Sequence, residues 1–123
     1  AGWRSLGLGV IENTIRSINS DSEIFAWLGP SIGVEKFVVG HDVYNFFEKN
    51  DPDALDSFIK YQDKYKLCLP TAAKKKLINI GVKKIFGSTV DVDFCTYNDE
   101  KRFFSYRRDK ITGRMASLIW INN

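Results

Sequence analysis

The order of its segments predicts that this chain folds as a layered α/β arrangement of sheet and helix. Three observations carry the prediction. Short apolar runs of strand length, such as Ile24–Leu28 and Phe37–Val39, are interspersed with longer amphipathic stretches. Gly and Pro punctuate the boundaries, as at Gly29-Pro30, Gly40 and Gly81. Aromatic residues reach 14%, with nine Phe, five Tyr and three Trp, enough bulky surface for a core or for one part of a larger one.

Residues 5–19 read as a helix, because Leu6, Val10, Ile11, Ile15 and Ile18 recur at helical spacing. Gly7 and Gly9 weaken its first turns. Arg4 falls just before the helix N-terminus, where it serves either an anion or only the surface. Ile24–Leu28 reads as a strand that must stop at Pro30, which has no N–H to donate. Phe37–Val39 is a second strand. A helix follows from about Asp42, its N-cap, to Lys49, with Val43, Phe46 and Phe47 inward. Residues 54–65 lack clean periodicity and read as a short helix leading to an extended piece at 65–69.

Pro70 to Asn79 reads as a helix with Pro near its first position and Gly81 as the C′ residue. Lys74, Lys75 and Lys76 lie on it, with Lys60, Lys64, Lys66, Lys83 and Lys84 nearby. No aromatics interleave with the triplet, so it reads as a solvated helix face and not a nucleic-acid patch. Val82–Phe86 is a further strand. Val90–Thr96 alternates and reads as a half-buried strand, with Asp91 and Asp93 on one face.

The last stretch has two halves. Phe103 to Arg114 crowds arginines around aromatics beside a Thr-Gly bend, which suits the rim of a pocket for a flat or anionic ligand. The plainer alternative pairs Arg107 with Asp109 or another carboxylate and leaves Phe103 and Phe104 as core. Met115–Ile121 is an apolar run read as a strand buried on both faces, internal to a sheet.

A net charge of +3, from 18 basic and 15 acidic residues, is too mild to imply nucleic acid. The length suits one domain, and no apolar run is long enough for a membrane span. Cys68 and Cys95 are far apart and in no CxxC spacing, which suits a reducing cytoplasm. They and the single histidine, His41, cannot build a zinc site, which needs three or four ligands; His41 reads as a cap-associated or exposed residue.

Four segments resemble one family in the same order: AGWRSLGLGVIENT at the start, AWLGPSIG with FVVG at 26–40, NIGVKKIFG at 79–87, and CTYNDEKRFFSYRRDKITGRMASLIWI at the end. Together they resemble the C-terminal half of the YfiH-like, or laccase-domain, proteins, the multicopper polyphenol oxidoreductase family. The resemblance implies an α+β sandwich of sheets flanked by helices, incomplete in this chain, with about five strands and three or four helices. It places residues 1–123 as the C-terminal half of a single domain. That also accounts for the start at Ala1-Gly2-Trp3-Arg4, which has no initiator Met and reads as a join in mid-domain.

The resemblance further implies a zinc-dependent purine nucleoside phosphorylase with adenosine deaminase activity. Its substrates are phosphate with adenosine, inosine, guanosine or methylthioadenosine. The family's three metal ligands lie upstream of Ala1, so none is expected here, and the N-terminal half of the domain becomes a partner. Cys68 stands where relatives often carry Asp. By position and chemistry, Arg4 is the candidate catalytic residue. Arg107 and Arg108 are candidates for holding or bracing the anion, and Phe103 or Phe104 for stacking on the base. Two other readings remain. One is copper-dependent phenol oxidation, the older family assignment, whose site needs several His and Cys. The other is an inactive fragment or interaction module, which predicts an exposed apolar edge.

Overall fold

The computed structural model describes residues 2–18, 21–88 and 94–120. Its elements in chain order are α1 (Trp3–Gly7), α2 (Val10–Ile18), β1 (Phe25–Leu28), β2 (Val38–Val39), α3 (His41–Asn50), β3 (Phe58–Tyr61), β4 (Lys64–Leu67), α4 (Leu69–Asn79), β5 (Lys84–Gly87) and α5 (Tyr106–Asp109). Single 3-10 turns cover Val34–Lys36 and Pro52–Ser57. Helix and sheet are mixed, as expected. Among the described residues no helix is long and apolar enough to cross a membrane.

Two sheets form. β2, β4 and β3 make an antiparallel sheet in that order, with Val39 opposite Tyr65 and Phe58 opposite Leu67. β1 and β5 pair in parallel, with Trp27 opposite Phe86 and Leu28 opposite Gly87. A single parallel bridge joins Ser31 to Cys95. The core lies between the antiparallel sheet and the helices. Leu6 of α1, Phe37, Val39, Val43 and Phe47 of α3, Ala54, Leu67 and Ala72 of α4 are all buried in one cluster. Trp3 and Phe46 meet edge to face above it, with ring centroids 5.2 Å apart.

The first expected helix is two helices. Leu8 and Gly9 break it, and Gly9 takes φ +82°, a left-handed conformation that glycine adopts without a Cβ clash. Arg4 consequently lies inside α1, not before it. The α3 N-cap is Gly40, with Asp42 in the first turn. The C-terminal end of α4 behaves as expected. Gly81 takes φ +90°, and its N–H and that of Val82 donate to Ile78 and Leu77 carbonyls.

Residues 54–65 were expected as a short helix leading to an extended piece; the helix is a 3-10 helix that ends at Ser57, and the chain then forms a hairpin, β3–β4. Its two-residue turn is Gln62-Asp63, with Gln62 at φ 55°. No Gly or Asn marks that turn, and Lys and Tyr outnumber aliphatic residues in the strands, so the alternation is concealed.

The final strand is the main correction. Residues 112–120 adopt no regular secondary structure, and Leu118 and Ile119 are 83% and 96% exposed. Apolar character makes a segment compatible with a buried strand, but a strand also needs a neighbour to take its N–H and C=O groups. No described segment supplies one. Ile121, and most of the alternating run at 90–96, fall outside the described residues.

Candidate functional site

The arginine-rich segment begins in a compact loop. Asp99 accepts from the Arg102 backbone N–H at 3.1 Å and from its guanidinium. The Arg102 side chain holds the Asp99 carboxyl below the usual carboxylate range. Arg102 also lies over the Phe103 ring, 5.0 Å from its centroid. Ser105 is buried and caps α5, its hydroxyl accepting from Arg108 N at 3.4 Å.

Arg108 spends every N–H it has inside the protein. Nη1 donates to the Thr96 and Tyr97 carbonyls at 2.9 and 3.2 Å, and Nη2 to Phe103 O at 3.1 Å. Nε and Nη2 also form a bidentate pair with Asp109 at 2.8 Å each. Of the two roles open to Arg108, this geometry supports the brace. Its hydrogen bonds push the Asp109 carboxyl down, and Asp109 in turn raises the Arg108 pKa.

Arg107 differs. The Asp109 pairing considered for it belongs to Arg108. Arg107 Nη1 donates to Val38 O at 3.0 Å, and its guanidinium lies 5.1 Å from the Phe37 ring centroid. Those contacts tie α5 to β2. Its remaining donors meet no carboxylate among the described residues. Arg4 is exposed and stacks on Trp3, with Cζ 4.5 Å from the ring centroid, and it too has no carboxylate partner among the described residues.

Phe103 is half-buried and gives its carbonyl to Arg108, whereas Phe104 is 52% exposed. One side of the Phe104 ring is closed by Gly113, where a Cβ would fall 2.7 Å from Cε2. The structure therefore joins Phe103 to Arg108 directly. No hydrogen bond or ion pair links Arg4 to the other four candidates among the described residues. Arg4 reaches the common core through its neighbour Trp3, and Arg107 through Phe37.

Sequence reasoning missed one charged cluster. Lys76, expected on a solvated face, is buried. Its Nζ lies 2.6 Å from Glu12 Oε1 and 2.9 Å from Asp51 Oδ2. Burial works against its charge, but the two carboxylates outweigh burial and raise its pKa. Glu12 Oε2 is buried and accepts no hydrogen bond from the described residues. Lys76 stands one helical turn beyond Ala72, which is fully buried, so the two share the inner face of α4. Lys75 and Lys66 are half-buried and pair with carboxylates that stay exposed, Asp56 and Glu35 respectively.

The thiols have local partners. Cys68 Sγ accepts from Thr71 Oγ1 at 3.0 Å, and Cys95 Sγ from Gly33 N at 3.1 Å. His41 packs edge-on against Tyr65. Among the described residues no group of three His, Cys, Asp or Glu side chains could hold a metal ion. The described residues by themselves thus do not make a zinc or copper centre.

The chain matches the family described as multi-copper polyphenol oxidoreductase laccase over residues 1–122. It is 48% identical to the purine nucleoside phosphorylase YfiH of Escherichia coli K12, covering 98% of this chain and 49% of that protein. A purine nucleoside phosphorylase of Haemophilus influenzae is 42% identical over 98% of this chain and 49% of its own length. The crystal structure of a Neisseria meningitidis protein superposes with a TM-score of 0.79 at 38% identity, covering 89% of this chain and 44% of that one. The chain spans about half the length of the relatives it matches. By sequence and by fold, it belongs to the multi-copper polyphenol oxidoreductase laccase family, alongside the YfiH proteins.

Proposed function

We propose that this chain forms the arginine-bearing wall of a purine nucleoside phosphorylase site, completed by the other half of the fold. The observation that carries the reading is the 48% identity, across 98% of the chain, to a protein named for that activity. Arg4 and Arg107 supply the chemistry. Each is a permanent cation with donors uncommitted to any carboxylate among the described residues, suited to a phosphate dianion.

In phosphorolysis a phosphate oxygen attacks the ribose C1′. The C1′–N bond breaks, and the departing purine takes a proton as ribose 1-phosphate forms. Arg4 orients the phosphate and offsets charge developing in the transition state. Arg107 adds a second contact, Phe104 offers its open ring face to the base, and Arg108 with Phe103 fixes the loop that carries them. Zinc and adenosine deaminase activity, both implied by the resemblance, belong to this reading. The ligands would come from outside the described residues, and the setting would be cytoplasmic.

The test uses a polypeptide carrying both halves. Release of hypoxanthine from inosine should depend on phosphate, and Arg4→Ala should lower kcat/KM by about 100-fold or more. Its unfolding midpoint should be unchanged, because Arg4 is exposed. Full activity in Arg4→Ala would remove that residue from the mechanism. Phosphate-independent oxidation of a phenol, without phosphorolysis, would favour the copper-oxidase reading instead.

A further inference from the structure

Among the described residues, the β1–β5 ribbon has one covered face and one open face. Parallel strands occur almost only in sheets covered on both faces. Here the inner face carries Ala26, Leu28 and Ile85, all half-buried, and α4 packs against β1. The outer face carries Phe25, Trp27 and Phe86, which are 64%, 56% and 54% exposed, together with the exposed Lys84 beside Phe25. Phe25 and Phe86 lie parallel with centroids 6.4 Å apart, so these two rings stack across the ribbon. At roughly 150–250 Å² per aromatic side chain, three rings more than half exposed leave on the order of 300 Å² uncovered. That is the size of the largest apolar patch on an ordinary monomer, a patch that is often functional.

We infer that this aromatic face is the seat of the complementing half of the same fold. Two observations favour that occupant. The relatives are about twice as long as this chain, and the chain spans 44% of the solved neighbour it superposes on. A second apolar stretch, containing Leu118 and Ile119, is 83% and 96% exposed, so uncovered apolar surface is not confined to the ribbon. The inference rests on the phosphorylase reading only in taking the other half of the fold as the partner.

Hydroxyl-radical footprinting read by mass spectrometry tests it. The chain is compared alone and joined to the N-terminal half of the Escherichia coli relative. Oxidation of Trp27 and Phe86 should fall at least tenfold in the joined protein, while Tyr61 on β3 is labelled equally in both. Within the joined protein, Phe86→Asp should restore labelling of Trp27, and Ile59→Asp on β3 should leave it protected. Circular dichroism of each variant separates lost docking from lost folding, and the footprint stands without either variant. Unchanged labelling of Trp27 and Phe86 in the joined protein would overturn the inference. So would protection of both in the chain alone through self-association. Protection without phosphorolysis would sink the functional reading and leave this one standing.

Discussion

At the scale of single residues, neighbouring arginines in one helical turn have opposite roles because their surroundings differ. Arg108 points into a cage of carbonyls and is spent, whereas Arg107 keeps donors free beside a ring. Replacing Arg108 with Lys removes the fork that reaches four residues at once. Thermal unfolding should then begin at a clearly lower midpoint than for Arg107→Lys, which loses one carbonyl contact. Equal midpoints would refute the brace. The pair with Asp109 adds a pH dependence. Because the Asp109 pKa is lowered in the folded state, its contribution is present above the ordinary carboxylate value. It is lost as pH falls through the lowered one, so the gap between wild type and Arg108→Lys should narrow in acid.

At the scale of elements, two devices control helix and strand ends. α4 begins after Cys68, which makes no side-chain cap, and Pro70 at the second helical position has no N–H to offer. The Thr71 N–H is the natural recipient of a cap. Cys68→Asp should therefore raise stability by about 1 kcal/mol in urea titration. A loss would mean that burial of the thiol matters more than the cap. β5 ends at Gly87, which takes φ +96°, and a Cβ there would fall 2.2 Å from Leu28 O on the paired strand. Gly87→Ala should cost more than about 1 kcal/mol. Faster amide exchange at Ser88, whose N–H donates to Leu28 O, would localise the damage to the ribbon.

At the scale of the whole molecule, Lys76 links α2, the end of α3 and α4 through one buried charge. Lys76→Met should cost about 3–5 kcal/mol, because it strands two carboxylates with no counter-charge. Adding Glu12→Gln and Asp51→Asn should recover much of that loss, and denaturant titration of both variants checks it. Since the Lys76 pKa is raised on folding, the contribution is complete below the ordinary lysine value. It should disappear only in strong alkali, as pH rises through the raised value.

The sequence by itself determined the elements whose signals are local. Periodic apolar residues announced α3 and α4, Pro30 ended β1, and Gly81 closed α4, since each depends on side chains within a few residues. It also made the 103–114 arginines candidates, because guanidinium beside aromatic is readable as composition. Only tertiary structure decided which arginine is spent and which is free, for that depends on carbonyls of Val38, Thr96 and Tyr97, all distant along the chain. It likewise decided that Lys76 is buried, that residues 58–67 fold back as a hairpin, and that 115–120 pair with no described strand. Hydrogen bonds and ion pairs are satisfied by whatever the fold brings near, and no local pattern records what that will be.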